Sequence, residues 1–182
     1  MSSRRNVLVG LAGSAAAIAL GGCGFRPLYG RSAAGDLGDT LARVEIGPVR
    51  ATAGERSDLF RVGQQVRNAL LDGLQPRGAA DVPLYRLDVN ISEGISSLAV
   101  QKSADATRAD LTLEASFHLT DRDTGKSLFS GTSRAISSFN ILNSEFATLM
   151  AERGARDKAV RQLGDDIRLK TAIFLRSHAG RE

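Results

Sequence analysis

The sequence predicts an α+β fold. The expected form is a two-layer sandwich, a four-stranded, mostly antiparallel sheet with two helices on one face, in the order β-α-β-β-β-α. Two observations predict it. Two long segments alternate apolar and polar residues with a period of two, and two others repeat apolar residues at helical spacing. Strict alternation gives each strand only one face to bury, and two amphipathic helices suffice to cover one face of four strands. The other sheet face is then left polar and bare.

The elements follow in chain order. Residues 1–22 have the make-up of a secretory signal, with Arg4 and Arg5 and no acid before an apolar or small run, Val7–Leu20. That run is short for a membrane-spanning helix. It ends in Leu20-Gly21-Gly22-Cys23, which resembles a bacterial lipobox, so Cys23 is expected to start the mature chain and carry acyl groups. Ser3-Arg4-Arg5 also resembles part of a twin-arginine signal, leaving the export route open. Residues 23–40, rich in Gly, Ser, Ala and Asp, read as a lipidated tether. Residues 41–182 read as one domain.

Leu41–Val49 is expected to be a short strand, with Val44 and Ile46 on one face and Arg43 and Glu45 on the other. Ser57 caps a helix with Asp58 in its first turn. Leu59, Val62, Val66, Ala69 and Leu70 form its apolar stripe, and Gly73 and Pro76 stop it. From Pro83, Tyr85, Leu87, Val89 and Ile91 alternate with Arg86, Asp88, Asn90 and Ser92. Gly94 is expected to break or bulge this strand, which could resume through Leu98 and Val100. After a polar connection, Gln101–Ala106, comes the clearest strand. Ala109, Leu111, Leu113, Ala115, Phe117 and Leu119 line one face, and Arg108, Asp110, Thr112, Glu114, Ser116, His118 and Thr120 the other. Asp121–Lys126 is a hairpin turn, and Ser127–Phe139 the last strand. Asn143 or Ser144 caps a long helix whose apolar side is marked by Phe146, Met150, Val160, Leu163, Ile167 and Phe174. Gly154 and Gly164 weaken that helix by about 1 kcal/mol each relative to Ala.

Composition narrows the function. One Cys excludes an intramolecular disulfide and a Cys-rich zinc site, and two His leave little for a metal centre. The formal charge of +4 falls to +2 once the signal's two arginines are removed. The basic balance is thus weak support for nucleic-acid binding, and an exported lipoprotein would rarely meet nucleic acid. No G-x-S-x-G elbow is present, and neither His has the setting of a catalytic triad. Thr124-Gly125-Lys126-Ser127 lacks the earlier glycine of a phosphate-binding loop, and Asp121 with Asp123 lacks the closing acid of a calcium loop. These absences predict a protein that is not an enzyme and needs no cofactor beyond the lipid on Cys23.

Cys23-Gly24-Phe25-Arg26-Pro27-Leu28-Tyr29-Gly30 resembles the start of mature lipopolysaccharide (LPS)-assembly lipoproteins of the LptE family, in its alphaproteobacterial form. The predicted element order and the long terminal helix match that family's domain over nearly the whole mature chain. The resemblance implies an outer-membrane lipoprotein on the periplasmic side, plugging and assisting assembly of the LptD barrel and binding LPS during delivery to the cell surface. The lack of Asp after Cys23 also points to the outer membrane by resemblance to enterobacterial lipoproteins. A barrel interior is polar, and the bare sheet face offers it Arg86, Asp88, Asn90, Asp110, Thr112, Glu114 and His118. The phosphates of lipid A call for cations; Lys102, Arg108 and Arg134 are the candidates. The alternative is an auxiliary lipoprotein of an ABC-type lipid transport system.

Overall fold

The computed structural model describes residues 37–51, 59–97 and 108–179. It is an α+β structure with an open mixed sheet and two long helices packed on it. The elements are α1 (Leu37–Ala42), β1 (Val44–Ile46), β2 (Arg50–Ala51), α2 (Leu59–Leu74), β3 (Tyr85–Ser97), β4 (Arg108–Asp121), β5 (Ser127–Asn140) and α3 (Glu145–Ala179). The expected caps Ser57 and Asp58, the extension through Leu98 and Val100, the connection Gln101–Ala106 and the segment 1–36 lie outside the described residues.

β3, β4 and β5 form an antiparallel meander, and β1 and β2 pair in parallel with β3 on its other side. Parallel pairing needs a long crossover, which α2 supplies. The expected strand Leu41–Val49 shrinks to β1, and a second short piece, β2, follows beyond its expected end, so the sheet has five strands. Leu41 is helical instead, buried in α1. Gly47-Pro48 causes the interruption. Gly47 N–H still donates to Leu87 O at 3.0 Å, but Pro48 has no N–H to continue the ladder. β1 ends at Ile46 opposite Leu87 and β2 resumes at Arg50 opposite Asn90, so the edge holds one residue more than β3.

β3 does not break at Gly94. Its pairing with β4 runs unshifted from Tyr85↔Asp121 to Ser97↔Ala109. The hairpin follows its sequence. Asp121 Oδ1 accepts the N–H groups of Asp123 and Thr124 at 3.0 and 2.7 Å and the Thr124 hydroxyl at 2.8 Å. Gly125 takes φ +67° there. These hydrogen bonds, Thr124's first, hold the Asp121 carboxyl below its ordinary value. Ser144 Oγ accepts Ala147 N–H at 3.4 Å at the start of α3, as a helix cap does.

The core lies between the sheet and both helices. All six expected apolar residues of β4 are buried, as are Leu87, Val89 and Ile91 of β3. Against them α2 places Val62, Val66 and Leu70, and α3 places Ala159, Val160, Leu163 and Ile167. The helices meet closely at Gly164, where a Cβ would lie 3.1 Å from the Ala69 Cβ. The helix weakness attributed to Gly164 is thus offset by a tight crossing. In its middle, β5 presents small residues inward. Gly131 faces the Phe117 ring, whose nearest atom would lie 2.6 Å from an added Cβ. Phe117, Phe129, Phe174 and His178 continue as a ladder of rings 4.9–5.8 Å apart.

Two expectations about α3 need correction. Phe146 and Met150 do not mark a core face, being 72% and 47% exposed. No residue from Glu145 to Gly154 is buried, and burial begins at Ala155. Helical spacing shows that a stripe exists, but not where along a long helix the packing partner begins.

Candidate functional site

The open face of β3, β4 and β5 is the candidate site. Alternation places Arg86, Asp88, Asn90, Asp110, Thr112, Glu114, Ser116 and His118 on it, exposed or half-buried. β5 adds Thr132, Arg134, Ile136 and Ser138. No helix among the described residues covers this face. A shallow concavity of ≈ 760 Å³ is lined by Asn90, Ser92, Glu114, Ser116, Thr132 and Arg134, together with Asp166 and Lys170 of α3.

The face is largely self-paired. Arg86 Nε bonds Asp88 Oδ2 at 3.1 Å, and this carboxylate raises the guanidinium above its ordinary value. Arg134 Nε lies 3.4 Å from Glu114 Oε1, both more than half exposed. Such an exposed pair holds weakly. Ser138 Oγ donates to Asp110 Oδ1 at 2.5 Å, and Thr120 Oγ1 to Arg86 O at 3.4 Å. Arg122 pairs with Glu45 beyond the face. Such a surface presents both signs of charge and many hydroxyl and amide groups, suited to many dispersed hydrogen bonds.

Of the cations named for phosphate, the two described ones, Arg108 and Arg134, do not converge. Arg108 pairs with Asn140 at one end of β4, and Glu114, the partner of Arg134, lies six residues along. At strand spacing that is about 20 Å. Arg108 is exposed and has no hydrogen-bond or ion-pair partner among the described residues. Lys102 and Cys23 lie outside them.

Sequence reasoning missed a charged network on the core side. Glu93 continues the inward set Leu87, Val89, Ile91, and its side chain is only 7% exposed. Arg156 of α3, 10% exposed, grips it with Nε–Oε2 and Nη2–Oε1 both at 2.9 Å. Arg156 Nη2 also reaches Glu152 Oε1 at 2.6 Å. The hydrogen bonds to Glu93 above all raise the Arg156 guanidinium well beyond its ordinary value, against the effect of burial. Parity was the available signal, since an unbroken strand puts Glu93 inside. A second clamp ties α3 to the edge strand. Asp166 Oδ2 accepts Ser133 Oγ at 2.5 Å and Lys170 Nζ at 2.6 Å, while Lys170 Nζ also donates to Thr132 O at 2.7 Å. Burial works to raise the Asp166 carboxyl, but the Lys170 and Ser133 hydrogen bonds prevail and leave it lowered. Lys170 is engaged with a carboxylate, so Ser133, Asp166 and Lys170 form a brace and not a nucleophile with its base.

No group of three or more His, Cys, Asp or Glu among the described residues could hold a metal ion. No helix among them is long and apolar enough to cross a membrane.

Residues 41–171 match the family model described as LptE, lipopolysaccharide-assembly. Among curated proteins there is no match. Two solved structures share the fold at low identity. A chain described as a lipoprotein of Caulobacter crescentus is 18% identical, covering 76% of this chain and 95% of its own, with TM-score 0.57. A minor lipoprotein of Acinetobacter baumannii is 17% identical, covering 71% and 90%, with TM-score 0.50. The rare lipoprotein B of Shewanella oneidensis is 15% identical, covering 76% and 94%, with TM-score 0.46.

Proposed function

This chain belongs to the LptE lipopolysaccharide-assembly family, and from that premise we propose that it is the lipid-anchored plug of an LptD-like outer-membrane barrel. A role in LPS assembly, as a membrane-associated lipoprotein, comes with the family. The finer reading is carried by one observation, the polar sheet face that no described helix covers. A large barrel has a polar interior, and a folded plug must hydrogen-bond to it. Asn90, Thr112, Ser116 and His118 are free to do so among the described residues, while the Arg86–Asp88 and Glu114–Arg134 pairs can re-form across the contact.

Cys23 carries the acyl groups in this reading and tethers the domain to the periplasmic leaflet of the outer membrane. Several acyl chains hold far more firmly than one, at about 0.8 kcal/mol per buried CH₂. Residues 1–22 are removed, and a tether leads from Cys23 to the domain, which starts with α1 at Leu37. The protein performs no bond-making chemistry. Arg108 meets an LPS phosphate, with Arg134 and Lys102 as further contacts; the Glu114 pair is weak enough for a phosphate to displace.

Affinity isolation of the full-length protein from membranes tests the proposal. Co-purification of a large outer-membrane barrel is expected. An ABC permease in its place would assign the protein to a lipid transport system. Cys23→Ala is expected to abolish incorporation of labelled palmitate, and palmitate still entering that variant would refute the lipid assignment.

A further inference from the structure

The first turns of α3 form an apolar tip that the packing leaves bare. Phe146, Leu149 and Met150 are 72%, 43% and 47% exposed. With Arg153 they lie at i, i+3, i+4 and i+7, one stripe of the helix. Leu142, 49% exposed, is pinned beside them, because its N–H donates to Thr148 Oγ1 at 2.9 Å. Scattered apolar residues on a surface need no explanation, but a contiguous set on one helix end marks a contact. A polar barrel wall does not provide that contact.

Two cations stand beside this tip. Arg153 is exposed and has no partner among the described residues, and Arg108 starts β4 opposite Asn140, just before the turn into α3. Of the three acids nearby, Glu152 alone is paired with a cation among the described residues. Asp157 accepts from Gln65 at 3.3 Å, Glu152 is held by Arg156 at 2.6 Å, and Glu145 stands at the positive end of the helix. Apolar side chains flanked by unpaired arginines complement an acylated molecule with anionic head groups.

We infer that this tip is where the acyl chains of LPS lie during transfer, with Arg153 and Arg108 beside the lipid A phosphates. The inference rests on the reading of the protein as an LPS handler. It adds a hydrophobic contact to a surface otherwise recognised only by charge. The acyl chains lie along the helix and not within the protein. The groove beside Leu149 and Arg153 holds only ≈ 180 Å³, below the range of about 300–1,000 Å³ typical of ligand cavities.

The test places a benzophenone amino acid at position 146, 150, 116 or 82 of the full-length protein in LPS-producing cells, followed by irradiation and immunodetection of LPS. Adducts are expected at 146 and 150 and none at 82, and Arg153→Glu should cut the yield at 150 about tenfold. LPS adducts at 116 without any at 146 or 150 would overturn the tip while sparing LPS handling. Adducts only to a protein at 146 and 150 would assign the tip to a protein partner and overturn the inference. No LPS adduct at any position, in protein that still co-purifies with its barrel, would overturn both.

Discussion

Arg156 is the residue whose loss the structure prices most clearly. Replacing it with Ala removes the bidentate contacts to Glu93 at 2.9 Å and the contact to Glu152 at 2.6 Å. It leaves the Glu93 carboxylate, 7% exposed, facing the underside of the helices. Charged hydrogen bonds contribute about 1.5–3 kcal/mol each, and stripping one partner from a buried pair costs about 3–5 kcal/mol. Uptake of a proton sets a ceiling, since neutralising a carboxyl group at pH 7 costs about 4 kcal/mol. Arg156→Ala should therefore destabilise by about 3–4 kcal/mol, a large share of the roughly 5–15 kcal/mol that holds a domain. In a chain of this size the melting temperature should fall by about 10–15 °C. Urea denaturation of the lipidated protein held in neutral nanodiscs gives the free energy directly. The double change Glu93→Leu with Arg156→Met, which removes both charges and keeps most of the volume, should recover to within about 1 kcal/mol of the parent. An Arg156→Ala variant as stable as the parent would refute the reasoning, as would a double variant no better than the single.

Leu113→Asp puts a charge into the core and should unfold the domain, while Thr112→Asp, one residue along on the open face, should stay within about 1 kcal/mol of the parent; equal damage in circular dichroism melts would disprove the one-sided sandwich. Gly131→Ala should cost about 1–3 kcal/mol by pressing on the Phe117 ring, and Phe117→Leu should make the alanine less costly, as a double-mutant cycle would show. Acid should weaken the brace between α3 and β5. The folded-state value of Asp166 is lowered from 3.8, so its stabilisation is present above that pH and is lost as pH falls through the lowered value. Asp166→Asn should flatten the acid limb of a stability-versus-pH curve, and an unchanged limb would place the acid sensitivity elsewhere.

The legible parts of the fold were those governed by a single local rule. β4 alternates without exception from Arg108 to Thr120, so its buried face could be named residue by residue. Asp121 and Gly125 announced the hairpin through their hydrogen-bonding and backbone preferences. What stayed hidden depended on distant partners. Gly94 suggested a break, yet β4 lies alongside and carries the ladder through it, which is why Glu93 was not placed inside with Ile91. Leu37–Ala42, with Gly38 and Asp39, has the composition of a tether, but Leu41 gains a core to bury against. Phe146 and Met150 obey helical spacing as well as Leu163 does, and only the extent of the sheet and α2 decides which of them is covered. At the candidate site the strand faces were legible, but their pairing was not. Arg134 meets Glu114 because β5 runs antiparallel to β4 in one particular register, and Arg153 became notable only once its neighbours were known to be engaged.

The central claim is that the open sheet face, and not the outer side of the helices, meets the barrel. Photocrosslinking in intact cells tests it most directly, with a benzophenone amino acid at Ser116 on the open face and, separately, at Lys158 on the exposed side of α3. A covalent adduct with a large outer-membrane barrel is expected from position 116 and none from position 158. Barrel adducts from position 158 alone, or an inner-membrane permease captured from position 116, would contradict it.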